Sequence, residues 1–312
     1  MGSRIPKMNF THNNHLKYHI NQDLWGYRTS SLDRYQVSVG AIDSHRYTAG
    51  DYETELRRTA QLVRKNLGSD LILLLSGGTD SEIVAHNFVN TGFRPRCVTV
   101  RFRNDYNITD VAEAARIANS LNLSHEIIDF DVQDFLWSGE AEEFGCSIQC
   151  TQITYIMCYK IISQLQTAAV MGGEALLTRR VAPDVSHWYW TFRENEDASA
   201  IRFSVKYNLP LVNEWFSYTP ELLLHYLQDP DIQQLISTKY NYKLTSVSSK
   251  NRILKRLCPY VSEKKKTHGF EELLAFNFVA TKIIGRTQVS RLVQDIDGVA
   301  IDHVIQQLQG QS

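Results

Sequence analysis

The residues best suited to chemistry stand at positions 76–81, where the chain reads Ser-Gly-Gly-Thr-Asp-Ser. Two hydroxyl side chains and the backbone N–H groups of a glycine turn can bind an anion, and glycine lets a phosphate approach the backbone closely. A carboxylate, Asp80, lies among them and is the kind of ligand that holds Mg²⁺ between phosphate groups. This combination predicts a phosphate-binding loop.

A short apolar run precedes this loop, and a helical pattern follows it. Residues 71–75 read LILLL, which is too short for a globular helix and is typical of a strand buried on both faces of a parallel sheet. After Ser81, apolar residues recur at helical spacing as far as Asn90, and Thr91 and Gly92 are typical of a helix end. The N–H groups of the turn and the positive end of the helix dipole would then converge on one point. The loop has neither the GxxxxGK[ST] nor the GxGxxG pattern of the commoner phosphate loops.

Strand-like and helical segments continue to alternate after this unit. The alternation predicts the α/β class, with a doubly wound parallel sheet, right-handed crossovers and helices on both faces. Ligands bind such sheets at the carboxyl ends of the strands, near the point where the strand order reverses. Three chemically suggestive stretches, residues 76–81, 102–105 and 172–174, follow predicted strands. The predicted strands are residues 71–75, 96–102, 125–130 and 168–171.

Length and composition set wider bounds. A chain of 312 residues allows about two domains, and 43% hydrophobic with 21% charged residues is typical of a globular protein. We expect an N-terminal arm over residues 1–47, an α/β core over 48–190, and a mostly helical C-terminal part over 191–312. A net charge of −1 gives no overall attraction for nucleic acid or membranes, and no apolar run approaches the ~18 residues of a membrane span. Five scattered cysteines without a CxxC pair indicate reduced thiols and a cytoplasmic location.

The sequence SGGxDS resembles the pyrophosphate loop of the N-type ATP pyrophosphatases, or PP-loop superfamily. That superfamily includes asparagine, argininosuccinate, GMP and NAD synthetases and tRNA-thiolating enzymes. The chain is most similar to the synthetase domain of asparagine synthetase and of β-lactam synthetase. The resemblance covers about residues 50–275 and implies an adenine nucleotide alpha hydrolase-like fold. Supporting similarities lie at residues 98–102, 110–129, 171–174 and 263–269.

The resemblance also implies roles for individual residues in binding ATP and Mg²⁺. The backbone of Val100 would contact the adenine, and Asp80 would hold the magnesium ion. Glu174 would lie near the reacting carboxyl group and pair with a catalytic lysine, which Lys265 or Lys266 would supply. The implied ATP-binding residues are Ser76, Gly77, Gly78, Thr79, Asp80, Ser81, Val100 and Gly173.

Two departures from the family pattern affect these implications. The family loop normally continues to an aspartate that helps to hold magnesium, and Leu177 stands in its place here, with Asp184 a few residues further on as a substitute. A glutaminase domain is not expected, because residue 2 is glycine rather than the nucleophilic cysteine that begins such domains. The amine would come from free ammonia, an amino substrate, or a separate glutaminase or carrier protein. His125 begins a predicted strand and is interpreted as structural.

These observations predict an ATP-dependent, AMP-forming synthetase or amide ligase. It would adenylate a small carboxylate with release of pyrophosphate, and ammonia or an amine would then attack. Two alternatives stay open. One is a PP-loop enzyme that modifies tRNA or a nucleobase. The near-neutral net charge and the absence of a CxxC pair argue against this alternative. The other is a catalytically degenerate nucleotide-binding partner subunit. Leu177, at the position of the family's second magnesium-binding aspartate, favours this alternative.

Overall fold

The computed structural model begins with a small antiparallel sheet. Its three strands are arranged in the order β2-β1-β3, and Leu16, Tyr18 and Ile20 of the middle strand are buried. The strands are β1 (Leu16–Ile20), β2 (Asp23–Leu24) and β3 (Tyr35–Val39). The structure describes residues 16–30, 32–33, 35–42, 50–173, 176–181, 186–191, 194–237, 254–261, 275–287, 299–300, 305–306 and 308–310.

A five-stranded parallel sheet forms the centre of the molecule, in the order β10-β7-β4-β5-β6. The first of these strands in the chain, β4, is the middle strand. The next two, β5 and β6, extend the sheet on one side of it, and β7 and β10 extend it on the other. The strand order therefore reverses between β4 and β7, which is the place where open α/β sheets bind ligands. The strands are β4 (Ile72–Leu74), β5 (Arg96–Phe102), β6 (His125–Phe130), β7 (Ala169–Val170) and β10 (Leu211–Val212).

Helices cover both faces of this sheet because its middle segment is apolar on both. Leu71, Leu73 and Leu75 belong to one buried cluster, and Ile72 and Leu74 belong to the other. The first cluster is completed by the helices α1 (Tyr52–Leu67), α2 (Thr79–Asn90), α3 (Ile108–Ser120) and α8 (Pro220–Leu227). The second is completed by α4 (Val132–Trp137), α5 (Glu140–Ile148), α6 (Ile153–Leu165), α7 (Ser199–Tyr207) and the helix Ala275–Thr287.

A second antiparallel sheet follows the fourth parallel strand. It has the order β11-β9-β8, and its strands are β8 (Leu176–Val181), β9 (Ser186–Thr191) and β11 (Val299–Ala300). Farther along the chain lies α9 (Pro230–Ser237), and the helix Ala275–Thr287 of the second cluster is α10. Within the described ranges, no helix is long and apolar enough to cross a membrane.

A buried charge cluster fastens the N-terminal arm to the body. Arg28 donates to Glu194 Oε2 at 2.9 Å, and Arg202 of α7 donates to Glu194 Oε1 at 3.3 Å. Arg202 also donates to the carbonyl oxygen of Gly26 at 2.8 Å. The amide of Gln149 exchanges two hydrogen bonds with the backbone of Arg28, at 2.9 and 2.7 Å. All three charged side chains are at most 7% exposed, so the arm is tied to the body by ions shielded from water.

The predicted α/β class with a doubly wound parallel sheet is confirmed. The predicted strands at residues 96–102 and 125–130 are observed with the same bounds. The fifth strand, β10, lies beyond residue 190, so the sheet draws on the part of the chain assigned to the helical C-terminal domain. The division of the chain into three parts stays a prediction.

Candidate active site

The 76–81 loop joins the end of β4 to the start of α2. Ser81 Oγ donates to the carbonyl oxygen of Gly78 at 3.0 Å and lies 3.1 Å from Ser76 Oγ. Because the single proton of Ser81 is used on Gly78, the hydroxyl of Ser76 is the donor between the two serines. The backbone N–H of Gly78 in turn donates to Ser76 Oγ at 3.3 Å. Ser76 is exposed and Ser81 is buried, so the loop has one hydroxyl at the surface and one inside.

The first turn of α2 points its N–H groups toward this loop. Gly78 is the N-cap residue, and no side chain makes a capping hydrogen bond there. The first N–H groups of a helix have no partner within the helix, so an uncapped start leaves donors for an anion. Thr79 and Asp80, the first two residues of α2, are both half-buried.

Gly77 allows the loop to pack against another helix. Its φ is +78°, and a Cβ on it would stand 2.3 Å from the carbonyl oxygen of Asp110 in the first turn of α3. A side chain is excluded both by the left-handed backbone and by this contact. The start of α3 thereby comes to lie against the 76–81 loop.

A second glycine pair brings the ends of two more strands to the same place. Gly172 follows β7, and a Cβ on it would stand 3.0 Å from the backbone nitrogen of Ser81. Gly173 has φ +61°, and a Cβ on it would stand 1.7 Å from the carbonyl oxygen of Asn213, the residue after β10. Backbone contacts thus join the ends of β4, β7 and β10, at the reversal of the strand order.

Hydrogen bonds fix the other side of the loop to β5 and β6. Thr99 Oγ1 donates to the carbonyl oxygen of Leu75 at 2.6 Å, directly before the loop begins. His125 Nε2 lies 2.8 Å from the same hydroxyl oxygen, and since that hydroxyl proton is already used, the histidine donates. His125 is thus placed as a structural bridge. Burial lowers the pKa of this imidazole.

Val100, the predicted adenine contact, lies one residue further along β5. Its carbonyl oxygen accepts a hydrogen bond from Asn107 Nδ2 at 2.8 Å, and Asn107 Oδ1 accepts from the backbone N–H of Phe102 at 2.9 Å. Asn107 is 9% exposed and closes the turn after β5. Sequence reasoning missed this residue and Thr99, since a lone asparagine or threonine at a strand end has no distinctive pattern.

Asp80 and Glu82 are both acidic, but they have different surroundings. Glu82 is 2% exposed, and its Oε1 accepts from the half-exposed Arg116 of α3 at 3.3 Å, so this buried carboxylate is paired with an arginine at the surface. Asp80 is half-buried at the loop. The pKa of the Tyr52 hydroxyl is raised mainly by burial, with a smaller contribution from the nearby charge of Asp80. Within the described ranges, no group of three or more His, Cys, Asp or Glu side chains could enclose a metal ion.

The structure places the predicted ATP-binding residues together. The 76–81 loop, Val100 and Gly173 all lie at the carboxyl edge of the parallel sheet. Leu177 lies in β8, where it pairs with Trp190 of β9 through the backbone. Whether these residues bind nucleotide stays a prediction. The predicted residues Glu174, Asp184, Lys265 and Lys266 lie outside the described residues.

No family model and no curated protein matches the chain. Among solved structures, it is similar to a predicted subunit of tRNA methyltransferase from Methanocaldococcus jannaschii, with 18% identity and a TM-score of 0.32 over 64% of this chain and 95% of that one. The NMN synthetase from Francisella tularensis has 17% identity and a TM-score of 0.32 over 77% and 96% of the two chains. The NH3-dependent NAD synthetase from Campylobacter jejuni has 15% identity and a TM-score of 0.33 over 70% and 100%. Similarity at such scores indicates nothing about the function of this chain.

Proposed function

We propose that the chain is an ATP-dependent, AMP-forming synthetase that adenylates a small carboxylate. The observation that carries the proposal is the 76–81 loop itself. It combines a glycine turn, a helix start without a side-chain cap and an acidic residue, and it lies where the strand order of a doubly wound sheet reverses.

The proposed reaction has two steps. A carboxylate oxygen of the substrate attacks the α-phosphorus of ATP, an O–P bond forms, and the bond from that phosphorus to the pyrophosphate oxygen breaks. The nitrogen of ammonia or an amine then attacks the acyl carbon, AMP leaves with the former carboxylate oxygen, and the nitrogen loses a proton. In phosphoryl transfer of this kind the protein mainly positions the reactants and stabilises developing charge.

The described residues fit the first step. The N–H groups at the start of α2 would donate to the leaving pyrophosphate, with the backbone of Val100 on the adenine side. The hydroxyls of Ser76 and Ser81 would donate to it after giving up their present hydrogen bonds to Ser81 and Gly78. The carboxylate of Asp80 would hold Mg²⁺, which when bound neutralises charge on the phosphates. One protein carboxylate is sufficient for such an ion, because magnesium typically takes one or two together with phosphates and water. Glu174 and either Lys265 or Lys266 are proposed as the base and the cation of the reacting centre.

An exchange assay tests this proposal. The protein would be incubated with ATP, Mg²⁺ and radioactive pyrophosphate, with pools of small carboxylates, in the presence and absence of ammonia. We expect label to enter ATP only with particular acids, because exchange requires reversible adenylation. ATP binding without exchange or AMP formation under any substrate pool would contradict the synthetase proposal and favour a nucleotide-binding partner subunit.

The chemistry of the cysteines argues against sulfur transfer as the second step. Burial raises the pKa of Cys97 and of Cys158 to about 12, and that of Cys258 to about 11. A thiol reacts as its thiolate, which these groups do not form near neutral pH. Sulfur transfer through these three cysteines is therefore disfavoured, and burial also raises the pKa of the Cys146 thiol. Transfer of radioactive sulfur from a labelled sulfur donor to added tRNA, in the presence of ATP, would restore that alternative.

A further inference from the structure

Asn213 is a buried polar residue without a visible structural role. It directly follows β10 and is 0% exposed. Among the described residues, neither its Nδ2 nor its Oδ1 has a hydrogen-bond partner. Asn87 and Arg202 also have one unsatisfied side-chain atom, but each bonds through another. Asn87 Nδ2 donates to the carbonyl oxygen of Ile83 at 2.7 Å, and Arg202 donates to that of Gly26 at 2.8 Å. Burying an amide without hydrogen bonds costs free energy, and nothing in the folded protein offsets that cost. Binding of a ligand is therefore the natural reason to retain the residue.

The position of Asn213 points to the substrate rather than to the nucleotide base. Its carbonyl oxygen packs against Gly173, and the neighbouring Gly172 packs against Asp80 and Ser81. One glycine turn therefore separates Asn213 from the loop that would bind the pyrophosphate. The adenine side of the site, at Val100, lies across β4 on the opposite flank of the sheet. A group bound at Asn213 would thus lie beyond the phosphates, where the acid that attacks ATP has to enter.

The hydrogen-bonding groups of the Asn213 amide limit the chemical class of the ligand. A carboxamide has two N–H donors and one acceptor oxygen, so it is satisfied by a group that both accepts and donates. The carboxylate of Glu214 is 3% exposed and accepts the backbone N–H of Asn213 at 3.2 Å. A carboxylate offers acceptors only and would leave Oδ1 of Asn213 without a donor, whereas a carboxamide supplies both.

We propose that the side chain of Asn213 binds a primary carboxamide group of the acid substrate through a pair of hydrogen bonds. The inference rests on the proposed function in taking the acid to bind next to the 76–81 loop. It goes beyond that function by assigning a residue and a chemical class to the end of the substrate remote from the reacting carboxylate.

A stability comparison first separates a ligand-binding role from a structural one. Asn213→Leu keeps the branched shape and removes two unsatisfied polar atoms, so the urea midpoint of the ligand-free protein should stay the same or rise. Asn107→Leu is the matched control, because Asn107 is also buried but bonds to Val100 and Phe102. Its replacement leaves two backbone groups unpaired and should lower the midpoint. An equal loss in both variants would show Asn213 to be structural and would overturn the inference.

A binding experiment then tests the ligand class. Ligand-observed NMR would measure binding of two matched pairs, succinamate with succinate and glutamine with glutamate, to the full chain with ATP and Mg²⁺. We expect the wild type to bind the carboxamide member of at least one pair about tenfold more tightly, and Asn213→Leu to lose that preference. Asn213→Ala, which only removes atoms, serves as the second variant if leucine does not fit. ATP binding should be unchanged in both variants.

The outcomes distinguish this inference from the proposed function. Equal binding within each pair, equal binding by wild type and variant, or no binding of any probe would overturn the assignment of Asn213, even if pyrophosphate exchange occurs with another acid. A carboxamide preference that depends on Asn213, but without exchange, would support the binding site and contradict the adenylating activity.

Discussion

At the scale of single residues, Asp80 is the side chain on which the proposed activity depends most. Asp80→Asn removes the charge and keeps the size, so pyrophosphate exchange should fall by about 100-fold or more if this carboxylate holds magnesium. The fold should survive, because a first-turn carboxylate gains only ~0.3–1 kcal/mol from the helix dipole. Exchange rates and urea unfolding would be measured on the same preparation. Unchanged exchange would remove the metal assignment.

Gly77 and Gly92 form a natural matched pair. Both have left-handed backbones, with φ +78° and +76°, but a Cβ at Gly77 would meet the backbone of Asp110, whereas nothing lies within 4 Å at Gly92. Gly92→Ala should therefore cost only the strain of the left-handed conformation, about 1 kcal/mol. Gly77→Ala should cost clearly more and weaken ATP binding, because the loop has to move away from α3. Urea unfolding and calorimetric ATP titration would show this, and equal behaviour of the two variants would contradict the described packing.

At the scale of elements, the bridge from His125 through Thr99 to Leu75 ties three neighbouring strands together before the loop. Burial lowers the pKa of His125, so the unfolded chain binds its proton more readily than the folded one. Stability must then fall as the pH drops through the ordinary histidine range near 6.5, by at most ~1.4 kcal/mol per pH unit for one group.

The prediction is a difference between two pH profiles. Between pH 7 and 5.5 the wild type should lose more unfolding free energy than His125→Gln, which keeps a donor for Thr99 but does not titrate. Urea unfolding at intervals of half a pH unit would measure both. Parallel profiles would show that His125 is not buried enough to sense the pH.

The elements also show how far the sequence predicts this fold. The strands β5 and β6 and the helix α6 were predictable because each is longer than five residues and has a clear pattern. The two-residue strand β10 was not predicted, since two apolar residues become a strand only through their neighbour β7. The helices α4 and α5 were missed for a related reason, as their apolar faces are short.

The same reasoning separates what could be predicted of the site. The loop was visible because its glycines, serines and aspartate are contiguous. Asn213 could not be recognised from the sequence, because an isolated asparagine has no distinctive pattern. Only the structure shows that its amide is buried without hydrogen bonds.

At the scale of the whole molecule, the buried cluster of Arg28, Glu194 and Arg202 joins the N-terminal arm to the body of the protein. Glu194→Gln would remove the carboxylate that both buried guanidinium groups bind, so it should destabilise the protein by about 3 kcal/mol or more. Asp129→Asn is the control, because the ion pair of Asp129 with Arg101 is 56% and 40% exposed and contributes little. Thermal and urea unfolding would rank the two variants, and similar small losses would mean that water reaches the cluster.

Gly172 and Gly173, the glycine pair after β7, limit which substitutions the chain can tolerate. In a saturation mutagenesis screen, position 173 should tolerate no substitution at all. Even asparagine and aspartate, which accept left-handed backbones elsewhere, would collide with the carbonyl oxygen of Asn213. Position 92, with a similar backbone and open space, should accept both. A difference in tolerance between positions 173 and 92 would show why position 173 must be glycine. The cause would be the close approach of the ends of β7 and β10, and not the left-handed backbone alone.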